Sequence, residues 1–372
     1  MNTLQSAPIL TGGKPRLISL DAMRGFTIAA MILVNFPGDG DHVFAPLKHT
    51  VWNGLTPTDL IAPFFLFIVG ISIVLAYSRR VNDPDGALYK KIIFRSIKIF
   101  AVGIFLNLLP DFNFSDLRYT GTLPRIAIVF LVCALLYLNT SLLQQVWIGA
   151  TILLGYWLAM TLIPTPGQGK VMLEPGINLA AWIDSKFMPG KMWQGTWDPE
   201  GILSTFPSIV SGITGLIAGQ LLISTRPPER KVIYLMVVGL ASAATGYVWG
   251  LTFPVNENLW TSSFVLITSG MGAMVLGAAY YAIDVRGMTW GTRPGIIFGA
   301  NAIAVYVLAD ILALIFYRLP VAGLPLNVHG VNSLHAIGLS QELAGMFYSL
   351  FFVCINFIPA FILYRKKIFI KL

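Results

Sequence analysis

The amino-acid sequence predicts an all-α fold, a polytopic transmembrane bundle of about ten helices. Of its 372 residues, 56% are hydrophobic and only 11% are charged, and the mean hydropathy is +0.73. A soluble domain carries about a quarter charged residues, so the composition argues against one. The apolar residues form long unbroken stretches, close to the ~20 residues that a helix needs to cross a bilayer. The predicted spans are residues 18–36, 56–77, 92–109, 122–138, 145–163, 203–224, 231–250, 260–283, 296–317 and 343–363.

The placement of the basic residues predicts the orientation of this bundle. Fifteen Lys and Arg residues fall in connections on the side of the N-terminus and six on the opposite side, and cytoplasmic loops carry the positive excess. Both termini are therefore predicted to be cytoplasmic, with a tail at 1–17, a single transmembrane domain at 18–363 and a basic tail at 364–372. Because the positive charges flank the spans, the net charge of +8 does not indicate nucleic-acid binding. The N-terminus shows no cleavage signature, so the first span is expected to remain.

The long loops fall on the predicted outer side, so function is expected to face outward. The loop at 164–202 is rich in Trp, Pro and Gly, including Trp182, Trp193 and Trp197, and is too long for an ordinary connection. These indoles either form an interfacial belt or belong to a lid or sugar-stacking surface. The two cysteines, Cys133 and Cys354, give neither a disulfide framework nor a metal-ligand spacing, and no metal is expected.

A histidine precedes the second span in a polar stretch. His49 lies in the run KHTVWNGLT at 48–56, with Asn53 close by and Asp59 one turn inside the span. An imidazole titrates near neutral pH, so a histidine flanked by an amide and a partly buried carboxylate is a general-base arrangement. A structural role for a single loop histidine is the alternative.

A charged residue inside an apolar span costs several kcal/mol of free energy unless it is paired or lines a cavity, so such residues are candidates for function. Arg24 follows Asp21 by three residues in the first span, where it either forms an ion pair that fixes packing or binds an anion. Arg125 enters the fourth span and needs a carboxylate, a carbonyl or a bound anion. Asp310, with Asn301 two and a half turns earlier, allows the same two interpretations.

A second polar stretch lies on the predicted outer side, at 254–260. Asn256, Glu257, Asn258 and Trp260 supply two amides, a carboxylate and an indole, which can line a sugar pocket by hydrogen bonding and stacking. An ordinary capped loop is the alternative.

Four stretches together resemble the heparan-α-glucosaminide N-acetyltransferase family, including its bacterial members. They are SLDAMRGF at 19–26 with VN at 34–35, KHTVWNGLTPTDL at 48–60, PVNENLW at 254–260 and GANAIAVY at 299–306. The resemblance implies transfer of an acetyl group from cytoplasmic acetyl-CoA to a glucosamine amine across the membrane. It also implies that His49 is catalytic and that Asn35 supports it, although the interval between them is longer than in the lysosomal member.

On this hypothesis, His49 takes a proton from the acceptor as it attacks the thioester, or carries the acetyl group itself. Asp59 orients the imidazole, and Asn35 or Asn53 donates to the thioester oxyanion. The residues expected to bind acetyl-CoA are Arg24, Arg125 and Asn301. The residues expected to bind the acceptor are Trp52, Asn53, Asn256, Asn258 and Trp260.

Two other classes of protein remain open from the residues alone. A transporter of a sugar or carboxylate would also need membrane-buried charges, but paired repeats and broken helices are not evident in the sequence. A structural protein of an envelope-polysaccharide system would need neither His49 nor acetyl-CoA. The acceptor is open as well: glucosamine in a glycan, a peptidoglycan fragment or a sugar hydroxyl. Membrane lipid and a second copy of the chain are the remaining expected partners, in a bacterial inner membrane.

Overall fold

The computed structural model describes residues 17–81 and 83–370, so most of the predicted N-terminal tail and the last two residues lie outside the described part. This part contains thirteen α-helices and one short β-hairpin. The helices are α1 Ile18–Asn35, α2 Ile61–Tyr77, α3 Gly86–Leu108, α4 Thr122–Asn139, α5 Leu142–Leu162, α6 Leu179–Phe187, α7 Ile202–Ile223, α8 Pro228–Gly250, α9 Ser262–Ala279, α10 Thr292–Ala300, α11 Ala302–Tyr317, α12 Leu326–Ala336 and α13 Gln341–Arg365. The strands are β1 Pro320–Val321 and β2 Leu324–Pro325, paired antiparallel.

Short irregular helices extend two of these elements, and a third lies in the loop after α1. A 3₁₀ helix at Thr58–Leu60 leads into α2, another covers Ala45–Leu47, and a π-helix at Tyr280–Val285 continues α9. Side chains cap several helices: Asp85 accepts from the Leu88 amide at the start of α3, and Ser141 forms a capping box with Gln144 at the start of α5. These caps fix where the loops end and the spans begin.

The all-α membrane architecture is confirmed, with a count near the predicted one. Among the described residues, eight helices are long and apolar enough to cross a membrane, and nine if a bent pair counts as one span. That pair is α10 and α11, which meet at an angle of 83° where the sequence suggested one continuous span. The predicted third span is α3, whose 23 residues would reach across a bilayer but include Lys90, Lys91, Arg95 and Lys98. This basic content excludes α3 from the apolar set.

Glycines let neighbouring helices approach closely. Gly25 of α1 faces Gly295 and Gly299 of α10, and Gly70 of α2 faces the backbone of α7 at Gly212. Small residues at such crossings are typical of membrane helices, where van der Waals packing drives association.

Replacing Gly25 by alanine is expected to destabilise the bundle by roughly 1–3 kcal/mol, because the added Cβ would overlap the Gly295 carbonyl. Gly155→Ala in α5 is the matched control, since a Cβ at that position meets nothing within 4 Å. Thermal unfolding in detergent should show a lower melting temperature for Gly25→Ala alone. Equal melting temperatures for the two variants would contradict this packing.

The loops at one end of the bundle are bonded to one another. The Trp52 indole donates to the Leu173 carbonyl at 3.0 Å and stacks edge-on against Trp197, with ring centroids 5.4 Å apart. Arg118, before α4, makes two hydrogen bonds to Asp198, of 2.7 and 2.6 Å, and a third to Glu200. The predicted long loop at 164–202 is therefore held against the loop that contains His49.

Candidate active site

His49 lies between two carboxyl groups at this end of the bundle. Its Nδ1 is 2.9 Å from Oδ1 of Asp59 and 2.7 Å from Oε2 of Glu257. The Asp59 side chain is fully buried, whereas half of the His49 side chain is exposed. Both contacts use Nδ1, so the second ring nitrogen, Nε2, remains for a ligand. We call these three residues the His49 cluster.

Local backbone geometry places Asp59 in this cluster. The 3₁₀ turn at Thr58–Leu60 directs the carboxylate back toward the preceding loop. Its Oδ1 accepts from the Thr50 amide at 3.3 Å and its Oδ2 from the Thr56 amide at 2.7 Å. The His49 imidazole and two backbone amides are thus bonded to this one carboxyl group. Asp59 therefore fixes both the imidazole and the loop that carries it.

Glu257 lies in the loop between α8 and α9. The sequence did not indicate that this loop contacts His49. The Asn256 side-chain amide donates to the Asn53 side chain at 3.1 Å, and the Gly54 amide donates to the Val255 carbonyl at 2.8 Å. These bonds dock the two loops. The signal in the sequence was an acidic residue between two asparagines, which sequence analysis assigned to a sugar pocket and not to the histidine.

The cluster changes the proton affinities of its members. Hydrogen bonds to Asp59 and Glu257 raise the pKa of His49 to about 10, against the opposing effect of burial. Burial raises the pKa of Glu257 to about 7, although the neighbouring imidazole pulls that pKa down. Both carboxyl groups therefore favour the protonated imidazole, and His49 has to lose a proton before it can act as a base.

The three ligand atoms of the cluster lie within 4.8 Å of one another, a spacing that a metal ion also accepts. The direct hydrogen bonds of 2.7 and 2.9 Å already join these atoms, which suits a shared proton. The arrangement can accept a proton at Nε2 and stabilise the resulting charge through Nδ1.

The residues predicted to bind the acceptor divide into two groups. Trp52 and Asn53 lie in the His49 loop, and Asn258 is partly buried in the facing loop. Asn256 is fully buried, and its Oδ1 accepts from the Leu259 amide, so it shapes its own loop. The indole of Trp260 is also buried and donates to Ser211, so it packs inside the bundle.

Arg125 lies at the entrance of α4, directly behind this loop. It is 5% exposed, and its guanidinium carbon is 4.8 Å from the centre of the Trp260 ring. One guanidinium nitrogen donates to the Pro199 carbonyl at 2.7 Å and to the Ser204 hydroxyl at 2.6 Å. Its Nε, also buried, has no partner among the described residues. Of the partners that sequence analysis proposed for Arg125, the structure provides a carbonyl.

Two adjoining cavities extend from Arg125 into the bundle. The smaller, of about 30 Å³, is lined by Arg125 and Trp260. The larger, of about 230 Å³, shares Phe65 and Ile126 with it and is also lined by Arg24. One guanidinium nitrogen of Arg24 donates to the Ser72 hydroxyl at 2.8 Å, and the other is 3.3 Å from Asp21. The predicted intrahelical ion pair is therefore present beside a cavity.

A third cavity, of about 690 Å³, lies at the other end of α2. Ala76 and Arg95 line both this cavity and the 230 Å³ cavity, so the two adjoin. At 1.5 Å per residue, the length of α2 puts about 25 Å between this cavity and the His49 cluster. Its basic lining residues are Arg79, Arg80, Lys91, Arg95 and Lys98.

Among the hydrogen bonds of the described residues, none joins Asn301 or Asn35 to the His49 cluster. Asn301, at the bend between α10 and α11, donates to the Ile368 carbonyl at 3.0 Å and accepts from the Ile370 amide at 2.8 Å. It therefore binds the C-terminal segment, whose Ile370 lines the 230 Å³ cavity. Asn35 is exposed at the end of α1, and none of the hydrogen bonds described for His49 involves it.

Fold and site together define a multi-pass helical membrane protein with a histidine–carboxylate site at one end and a basic cavity at the other. The sequence profile described as "Heparan-alpha-glucosaminide N-acetyltransferase, catalytic" matches residues 16–239. This match covers more than half of the chain, and the chain belongs to that family. His49 and Asp59 fall inside the matched region, whereas Glu257 lies beyond it.

Two relatives carry the same family name. The chain is 29% identical to human heparan-alpha-glucosaminide N-acetyltransferase in an alignment of 425 positions, which covers 96% of this chain and 60% of the human protein. It is 28% identical to the mouse protein in an alignment of 361 positions, which covers 80% of this chain and 54% of the mouse protein. The chain thus spans little more than half the length of these relatives.

Proposed function

We propose that this chain is a membrane-embedded acetyltransferase that moves the acetyl group of cytoplasmic acetyl-CoA to an amino sugar or glycan on the opposite side. The observation that carries the proposal is the His49–Asp59 hydrogen bond at one end of the bundle, together with adjoining cavities that run from Arg125 and Trp260 to a basic cavity at the other end. A positioned base with an orienting carboxylate is the arrangement that acyl transfer to an amine needs.

The basic cavity suits the nucleotide of acetyl-CoA. The phosphates of this co-substrate are multiply charged, and Lys and Arg side chains at one mouth bind such groups by charge-assisted hydrogen bonds. The 230 Å³ cavity, where Arg24 lies, would then hold the pantetheine arm, with the thioester directed toward Arg125. The C-terminal segment bonded to Asn301 lies at this cavity and would have to move for the pantetheine arm to enter.

At the outer end, the acceptor amine attacks the thioester carbonyl while Nε2 of neutral His49 takes a proton from the amine. The new C–N bond forms, the C–S bond breaks, and the CoA thiolate leaves and takes up the proton held on His49, which becomes neutral again. Asp59 stabilises the imidazolium through Nδ1. Transfer through an acetyl-His49 intermediate would place the acetyl group on the same Nε2, and mass spectrometry of acid-quenched protein distinguishes the two routes.

The experiment that tests the proposal incubates purified protein with isotopically labelled acetyl-CoA and a panel of acceptors, followed by mass spectrometry of the acceptors. The panel pairs each amino sugar with its hydroxyl analogue, so it separates N-acetylation from O-acetylation. We expect labelled acetyl on an amino sugar or glycan. If the protein binds acetyl-CoA but no acceptor in the panel gains a labelled acetyl group, the proposal is contradicted.

Lys98→Glu in α3 is expected to raise the KM for acetyl-CoA about tenfold with little change in kcat, because one favourable phosphate contact is lost. Acetyl-pantetheine lacks the nucleotide phosphates, so its KM should not change. Arg226→Glu, outside the lining of this cavity, is the control. An equal effect on both donors would contradict the placement of the nucleotide.

A transporter is the second candidate, favoured by the cavities that adjoin one another along the bundle. Uptake of labelled amino sugar into proteoliposomes, with and without acetyl-CoA, separates the two functions. Uptake that needs no acetyl-CoA would favour transport. A homodimer and a bacterial inner-membrane location remain predictions.

A further inference from the structure

The His49 cluster contains one carboxyl group more than a histidine base requires. Asp59 already accepts from Nδ1 and is fixed by two backbone amides. Glu257, 208 residues from His49 along the chain, approaches the same nitrogen from a different loop at 2.7 Å. A second carboxyl group at this position needs a role of its own.

The loop around Glu257 is built to hold that side chain in place. The Trp260 amide donates to the Glu257 carbonyl at 3.0 Å, and Oδ1 of Asn256 accepts from the Leu259 amide at 2.8 Å. Trp260 adopts a φ of +52°, a left-handed conformation that costs energy for a bulky residue. Its indole is anchored beneath Arg125, which offsets this cost. The Glu257 side chain is 16% exposed, so its carboxyl is largely shielded from water.

The charged groups around the cluster come from four elements. Asp59 at the start of α2 and Glu257 in the α8–α9 loop contact Nδ1 directly. Lys48 precedes His49 in its loop, but its amine donates to the Asp41 carbonyl at 3.2 Å. Arg125 in α4 is a buried cation that lies over the Trp260 ring and interacts electrostatically with Glu257. Among the described residues, two acidic groups and no cation therefore contact the imidazole directly.

We propose that Glu257 is a positioning residue for His49, which shares the Nδ1 proton with Asp59, holds Nε2 toward the acceptor and sets the pH at which His49 becomes a base. This inference rests on the proposed acetyl transfer and assigns a role within the same site. A negative charge next to an imidazole favours its protonated form. The His49 pKa of about 10 agrees with this, because both carboxyl groups contribute to it through hydrogen bonds.

Glu257→Gln removes the charge but keeps an oxygen that accepts from Nδ1. The imidazole should stay in place and lose its proton more readily. We expect the acidic limb of the rate–pH profile to move to lower pH by about 1–3 units, since this is the usual effect of one opposite charge at contact distance. The rate at pH 7 should therefore rise relative to the rate at the plateau, while the plateau itself falls because the base is weaker.

The experiment records acetyl transfer from pH 6 to 11 for the wild type, Glu257→Gln and Glu342→Gln with one acceptor, so that titration of the acceptor amine is common to all three. Glu342, at the start of α13, is the control carboxylate outside the cluster. In parallel, NMR of protein with ¹³C-labelled histidine follows the His49 imidazole without turnover, with His49→Gln to assign its signal.

A lower titration midpoint for His49 in Glu257→Gln, together with the shifted limb, supports the inference. An unchanged midpoint would overturn it. So would a raised KM for the acceptor with an unmoved limb, because Glu257 would then bind the acceptor instead. If the wild type transfers no acetyl group at any pH, the proposed function fails, and the NMR titration still decides whether Glu257 controls the proton on His49.

Discussion

His49→Ala should lower the rate of acetyl transfer by a factor of about 10²–10⁴, the usual contribution of a positioned general base. The variant removes the nitrogen that accepts the proton and leaves Asp59 and Glu257 without their shared donor. The cavities assigned to acetyl-CoA lie inside the bundle and at its far end, so the affinity for acetyl-CoA should not change. Initial rates with labelled acetyl-CoA and binding isotherms measure the two effects separately.

His42→Ala is the matched control for this experiment. His42 lies in the same loop, is 44% exposed, and pairs with Asp39 at 2.8 Å through its own Nδ1. It therefore reproduces the chemistry of a histidine–aspartate pair outside the cluster. Transfer by His42→Ala at the wild-type rate is expected. Equal losses in both variants, or full activity in His49→Ala, would contradict the assignment of His49.

Asp59→Asn is expected to lower the rate at least about 100-fold, close to the loss from removing the base itself. Asp59 accepts from three donors, whereas asparagine offers one oxygen and an NH₂ group that would face an N–H. Either the imidazole or the Thr56 amide then loses its acceptor, and the loop at 50–56 loosens. The effect differs from that of Glu257→Gln, because Glu257 holds only the ring.

Two measurements separate these effects. Rates with the Asp59→Asn protein at several pH values should stay low throughout, since a misplaced imidazole is not restored by titration. Asp39→Asn, which breaks the corresponding pair with His42, is the control and should keep the wild-type rate. A rate for Asp59→Asn that recovers fully at any pH would show that Asp59 acts through charge alone.

Much of the membrane architecture was predictable because hydrophobicity is a local property of the sequence. The apolar stretches became helices, with ends close to the predicted ones in α1 and α4. The number of spans differed from the predicted ten at two places, one because of charged residues and the other because of a bend in the backbone. The basic residues of α3 lower its hydropathy, and the bend at Asn301 splits one predicted span into α10 and α11. A bend of this kind depends on packing and on the bound C-terminal segment.

The candidate site was likewise predictable only in part. His49 and Asp59 are ten residues apart, so their proximity follows from one loop and the turn after it. Glu257 joins them only through docking of a distant loop, which composition and periodicity do not reveal. The buried positions of Asn256 and Trp260 were also hidden in the sequence, because residues of a polar stretch can serve a pocket or shape their own turn.

The central claim is that an acetyl group crosses the bundle, from a donor at the basic cavity to an acceptor at His49. Proteoliposomes with the acceptor sealed inside and labelled acetyl-CoA supplied only outside test this directly. Molecules whose basic cavity faces outward should produce labelled, acetylated acceptor in the lumen, while intact acetyl-CoA stays outside. Labelled product that forms only when donor and acceptor share one compartment would contradict the account.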